Sequence, residues 1–136
     1  MIHREIEKEV LPYCQSEDIT VLAWAPLGEG ALTGKYSKEK TPKDSVRERH
    51  YFFRPENIEA INGIVKLLEE TGRPHGMSAV QVALGWLTAK DRVVPIPGAK
   101  TAKQAEENLG GGGWVLTRDE LSRLNDAADS LTLRSF

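Results

Sequence analysis

Ile19-Thr-Val-Leu-Ala-Trp24 and Val93-Val-Pro-Ile96 decide the fold of this chain. Both runs are short and apolar, and each is closed by a proline and a glycine. Pro26 and Gly28 follow the first, Pro97 and Gly98 the second. A run apolar on both faces suits a strand buried in a parallel sheet. Two segments with helical spacing lie between them. Ile58, Ile61, Val65 and Leu68 make one stripe behind Pro55, whose fixed φ suits a first helical turn, and Gly72 can stop it. Ser78 and Gln81 have capping-box spacing before a second helix, which carries Val82, Leu84, Trp86 and Leu87 to about Lys90. Strand, helices, strand is an α/β unit with parallel strands.

Outward from that unit, Ile6, Val10, Tyr13 and Cys14 lay an apolar stripe on a helix from Arg4 to about Gln15, with a kink expected at Pro12. The stretch from Gly28 to about Arg54 is long, polar and poorly periodic, the mark of a functional or mobile loop. After the second strand, Thr101 and Gln104 repeat the capping-box spacing and open a short helix through Asn108. Gly110 to Gly113 reads as a flexible break, with Trp114 to Leu116 as an anchor after it. Thr117 and Glu120 then cap a last amphipathic helix containing Leu121, Leu124 and Ala128. Two strands are too few to finish a sheet, so residues 1–136 are expected to be part of a larger domain.

With 136 residues, a compact monomer hides roughly 68% of its unfolded surface, enough for a core. Hydrophobic residues at 40% and charged residues at 28% exclude disorder and collagen-like repetition. The net charge of -2 gives no indication of a general nucleic-acid-binding face. One cysteine, Cys14, cannot form an internal disulfide; it reads as a small buried hydrophobe and fits a reducing, cytoplasmic setting. No apolar run approaches a membrane span. His3, His50 and His75 are far apart without ligand spacing, so no metal site is expected and each reads as a surface histidine.

Chemistry concentrates in the two turns that follow the strands. Lys35 after Gly34 hints at a phosphate-binding P-loop, but Glu29 replaces the required glycine and Tyr36 the magnesium-binding hydroxyl, so an NTPase is rejected. A glycine-rich loop remains, whose bare amides can approach an anion with one lysine in reach. On composition alone a plain loop fits equally well. In the second turn, a helix starting at Thr101 directs free N–H groups outward, and Lys100 and Lys103 add charge for a phosphate. By itself this turn reads more simply as a capped connection with solvated lysines. Trp86 and Trp114 read as core, and Trp24 as core or a stacking platform.

Six segments in order, HREIEKEVLPYCQ, WAPLGEGALTGKY, FRPENIEAI, SAVQVALGWL, VVPIPGAKTAKQAEENLGG and LTRDELSRLND, resemble the C-terminal half of the aldo-keto reductases. The likeness is greatest to the branch with the potassium-channel β subunits and many microbial reductases. It implies the C-terminal half of a (β/α)8 barrel that holds NADP(H) at the C-terminal ends of its strands; such barrels run to about 250 residues. By this resemblance Trp24 matches the aromatic residue stacked on the nicotinamide, and Ala25, Pro26, Leu27 and Gly28 match the residues after it along the cofactor. Ala25 replaces a usual serine. Lys35 matches a lysine near the pyrophosphate, and Gly98, Lys100 and Gln104 the surroundings of the 2′-phosphate. Glu107 and Asn108 match the pair that holds the adenine. Gln104 stands where many relatives have an arginine, which leaves Lys100 as the substitute and Arg47 or Arg49 as a possible clamp.

The resemblance also implies an absence. The Asp, Tyr, Lys and His that move the proton in the family come from the first half of the barrel, and nothing here aligns with them. The expected function is the cofactor-binding half of a carbonyl-reducing enzyme, inactive alone. It would act on a small carbonyl substrate once an N-terminal half completed it, with self-association or a complementary chain covering the open sheet. The alternative is a noncatalytic NADP-binding or interaction module from a split or truncated gene.

Overall fold

In the computed structural model, which describes residues 1–44 and 46–134, Val21–Trp24 (β1) and Val93–Ile96 (β2) pair in parallel. The register is Val21 with Val93, Leu22 with Val94, Ala23 with Pro95 and Trp24 with Ile96. The α/β class with two parallel strands and flanking helices is what the chain forms. Alternation separates the two faces of this sheet. Val21, Ala23, Val93 and Pro95 are at least half-buried, whereas Leu22, Trp24, Val94 and Ile96 are 62%, 81%, 49% and 47% exposed. The strands are therefore covered on one face only, not on both as their composition implies.

The core lies beside the sheet, among Pro55–Gly72 (α2), Ala79–Thr88 (α3) and Arg118–Ser130 (α5). Ile58, Ile61 and Leu68 of α2, Val82 and Trp86 of α3, and Leu124 of α5 are all but completely buried there. Burying side chains of this kind contributes about 1.5–3 kcal/mol each. Both capping boxes expected at Ser78–Gln81 and Thr117–Glu120 are formed. Trp86 is core, and its indole N–H donates to Asn125 Oδ1 at 2.9 Å. Trp114 is only half-buried at the core's edge.

Several local expectations are corrected. The N-terminal stripe breaks into a 3₁₀ turn at Glu5–Glu7 and a helix at Val10–Ser16 (α1), in which Ile6, Val10 and Tyr13 are exposed and Leu11 is buried. Pro12 causes no kink, because it stands in the first turn, where N–H groups lack intrahelical acceptors. Cys14 is half-buried rather than buried. His50 is likewise half-buried, stacked on Tyr51 with ring centroids 4.9 Å apart. α2 ends at Gly72 as expected, and a separate 3₁₀ turn at Arg73–His75 follows it to Gly76 at φ +67. Glycine is needed at 72 because an added Cβ would stand 2.3 Å from the Met77 carbonyl oxygen.

The long polar segment has structure of its own. Residues Gly28–Thr33 form 3₁₀ turns, and Tyr51–Phe53 another that buries Phe52 and Phe53. The four glycines 110–113 are not a free break. Ala102–Gly110 (α4) ends against α3 so closely that a Cβ at Gly111 would meet Leu84 Cβ at 2.8 Å.

An ionic knot ties the N-terminal segment to the end of α3. Glu7 accepts from Arg4 at 2.8 Å and from Lys90 at 3.2 Å, and both cations lie over the Trp86 ring. Burial pushes the Glu7 carboxyl up, but the hydrogen bonds and charges of Arg4 and Lys90 prevail and hold it below its ordinary value. A lowered carboxyl contributes stability above its unfolded pKa and loses it as pH falls through the folded value. Glu7→Gln is expected to melt below the parent at about pH 7, and the difference should close as pH falls below about 5 and through the lowered folded value. Thermal melts followed by circular dichroism across that range check this.

Candidate functional site

Because β1 and β2 run parallel and in register, the turns after them leave the sheet at the same end. Residues 25–35 on one side and residues 97–100 with α4 on the other enclose a cleft of about 540 Å³. Ala25, Pro26, Leu27, Lys35, Gly98, Lys100, Gln104, Glu107 and Asn108 line it, which brings together nine of the eleven residues singled out from the sequence. Trp24 and Gly28 line a neighbouring hollow of about 350 Å³, which shares Ala25, Pro26 and Glu29 with the cleft. Trp24 is thus a rim residue with its ring in solvent, not core.

The first turn is built on backbone that most residues avoid. Ala25 and Glu29 have φ of 48° and 56°, and Gly28, Gly30 and Gly34 are also left-handed. A Cβ at Gly30 would stand 3.6 Å from Lys35 Cε and 3.8 Å from its Nζ. Glycine therefore keeps open the space between the chain and that ammonium group. Thr33 closes the turn by donating its hydroxyl to the Gly30 carbonyl at 2.7 Å. Lys35 Nζ lies 4.9 Å from the centre of the Tyr36 ring. Among the described residues, neither Lys35 nor Lys100 makes an ion pair.

In the second turn, Thr101 caps α4 by accepting from the Gln104 N–H at 3.2 Å. The expected reciprocal bond is displaced by one residue. Gln104 Oε1 accepts from the Lys100 N–H at 2.7 Å, which leaves the two amide donors of Gln104 to spare. Asn108 Nδ2 donates to the Gly98 carbonyl at 3.3 Å, and Glu107 Oε1 accepts from the Ser78 hydroxyl at 2.7 Å. Each side chain on this face of α4 is thus held by one bond to its surroundings.

Of the two arginines considered for the long segment, Arg47 lines the cleft and Arg49 does not. Arg47 donates to the Tyr36 hydroxyl at 3.0 Å and to Asp44 at 2.7 Å. The hydrogen bond from Arg47 holds the Asp44 carboxyl below its ordinary value. The sequence reading missed Glu29, Gly30, Thr33, Val80, Pro97 and Ala99 as cleft residues. Pro97 and Ala99 adjoin Gly98 and were open to inference. Val80 enters from the first turn of α3, and nothing in its local sequence marks it. Among the described residues no three His, Cys, Asp or Glu groups gather as a metal site, and no helix is long and apolar enough to cross a membrane.

Comparison with known proteins gives consistent matches. The sequence pattern of the aldo/keto reductase family matches residues 1–129. The chain is 38% identical over 120 residues to a chloroplastic pyridoxal reductase of Arabidopsis thaliana, covering 88% of this chain and 32% of that protein. It is 32% identical over 131 residues to the NADP(+) aldo-keto reductase yakc of Schizosaccharomyces pombe, covering 93% and 38%. The solved glycerol dehydrogenase of Gluconobacter oxydans superposes with a TM-score of 0.85 at 30% identity, covering 96% of this chain and 40% of that one. The chain therefore spans about a third of the curated relatives, less than the half expected from the resemblance.

The hydrogen-bonded turn at 97–104 carries its own test. Gln104→Leu removes the acceptor of the Lys100 N–H without touching the core. Amide exchange at Lys100 should accelerate about tenfold, while global stability changes by no more than ~1 kcal/mol. Site-resolved hydrogen exchange by NMR reads both.

Proposed function

This chain belongs to the aldo/keto reductase family, and from that membership we propose that its cleft holds the phosphates and adenosine of NADP(H), with the Trp24 ring offered to the nicotinamide. The observation that supports this reading most is convergence. Two turns some seventy residues apart in sequence meet at one cleft, each bringing a lysine that has no carboxylate partner among the described residues. The residues fit such a group chemically. A dinucleotide phosphate is long and anionic and needs cations and bare amides spaced along an open groove. Lys35 beside the uncovered backbone of Gly30 suits the diphosphate, and Lys100 at the head of α4 suits the 2′-phosphate.

When bound, such a cofactor supplies a hydride to a carbonyl carbon, turning an aldehyde or ketone into an alcohol. In this reading the chain's own residues bind and orient. Lys35 and Lys100 neutralise phosphate charge, Glu107 and Asn108 face the adenine, and Trp24 fixes the plane of the reactive ring. The proton donor to the developing alkoxide belongs to the complementary part of the barrel, and so does the wall that excludes water. The exposed block of Leu22, Trp24, Val94 and Ile96 supports a second copy or a complementary chain lying on the sheet, because apolar faces and open strand edges favour pairing.

Fluorescence titration of the 136-residue chain with NADPH tests the site. Trp24→Ala should weaken binding roughly threefold to tenfold, the range of an aromatic stacking contact. Lys100→Glu should weaken it at least about tenfold and more at low salt, since it sets like charge beside a phosphate. Equal affinity in parent and both variants would show the assignment to be wrong.

Assembly and activity form a second test. Light scattering should report a mass above the 15.1 kDa of one chain. NADPH oxidation with a panel of aldehydes should stay at background, since loss of general acid–base groups alone costs about 10²- to 10⁴-fold. A monodisperse monomer that turned over an aldehyde would refute both expectations.

A further inference from the structure

We propose that Ser78 is a positioning residue that fixes the Glu107 carboxylate to accept the 6-amino group of the cofactor's adenine, an inference that rests on the cofactor reading above. Ser78 lies outside both strand-end turns, at the N-cap of α3, and does not line the main cleft. Its hydroxyl accepts the Gln81 N–H at 3.3 Å, and its own backbone N–H donates to Gln81 Oε1 at 3.0 Å. The capping box thus fixes Ser78 at both backbone and side chain. A serine hydroxyl has one proton to donate, and here it goes to Glu107 Oε1 at 2.7 Å.

Glu107 forms part of the wall between the cleft and a smaller hollow behind it that Ser78, Met77 and Arg73 line. A glutamate has three rotatable bonds and, unrestrained, would lose much of that freedom on meeting a ligand. The Ser78 bond removes the freedom beforehand and occupies one carboxylate oxygen, so Oε2 remains as the acceptor for a donor in the cleft. A carboxylate only accepts. It therefore favours a purine with an amino group at position 6 over one with a carbonyl oxygen there, whose lone pairs would oppose it.

The test compares NADPH with its hypoxanthine analogue, in which a carbonyl replaces the 6-amino group, by fluorescence titration of the full 136-residue chain. The parent should prefer NADPH by about tenfold or more, as for a hydrogen bond to a charged group. Ser78→Asp keeps an N-cap acceptor for the Gln81 N–H but cannot donate to Glu107, so it should fold and yet bring the preference to within about twofold. Ser78→Thr keeps the donor and should preserve the preference. Circular dichroism melts of both variants establish the fold. If Ser78→Asp weakened both ligands alike and left their ratio unchanged, Ser78 would be only a helix cap and the proposal would fall. A parent that bound NADPH without discriminating would overturn the role of Glu107 and leave the cofactor reading intact. A parent that bound neither ligand would overturn both.

Discussion

The pairing of β1 with β2 is the constraint on which the other features rest. Only four residues of each strand take part, but the parallel register places Trp24 beside Ile96. Whatever follows Trp24 must then lie beside whatever follows Ile96. An antiparallel pair would have sent the glycine turn and the head of α4 to opposite ends of the sheet. Parallel strands require a long crossover, and here α2 and α3 provide it while also carrying most of the core. The core and the cleft are thus two consequences of one connection. Helix packing on one side of the crossover holds the strands in place, and the strand ends deliver the turns.

This arrangement leaves an imbalance in how apolar surface is used. Trp86, Ile58, Ile61 and Leu124 are buried between helices, while Leu22, Trp24, Val94 and Ile96 stand in solvent on the far face of the sheet. Strands so apolar and so exposed are out of keeping with a finished sheet, which buries both faces when all its strands are parallel. The chain spans 32% to 40% of the relatives' length, and one face of its sheet is uncovered.

Much of this was legible in the sequence, for identifiable physical reasons. Ser78–Gln81 and Thr117–Glu120 announce helix starts because a hydroxyl and an amide or carboxylate three residues on satisfy one another's backbone donors. The β2 run is closed by Pro97 and Gly98, and its limits agree to the residue. What the sequence hid depends on tertiary contact. Gly72 ends α2 as its sequence suggests but is also a close approach to Met77, and Gly110 to Gly113 look like slack but include a contact against α3. The N-terminal stripe misled because the segment is a 3₁₀ turn and a separate short helix rather than one helix, and Ile6, Val10 and Tyr13 face water. Val80 escaped as a cleft residue because it reaches the cleft through the fold, not through the turns that announce it.

The polar residues around the cleft serve structure and site together. Gln104 caps the Lys100 amide, Asn108 ties Gly98, Thr101 caps α4, and Ser78 holds Glu107. Each bond restrains a side chain that, in the proposed site, would otherwise have to be ordered on binding at about 0.5–1.5 kcal/mol apiece. Because the partners are backbone groups of the same turn or a helix cap, the ordering is completed when the chain folds. The two lysines are the exception. Lys35 and Lys100 show no such tie among the described residues, and long cations of this kind lose rotamer freedom when they engage an anion. The cleft therefore combines a rigid side, where hydrogen-bonding shape decides what fits, with flexible charges whose attraction is strong, long-ranged and weakened by salt. In the proposed cofactor site, selectivity would follow from the first and capture from the second.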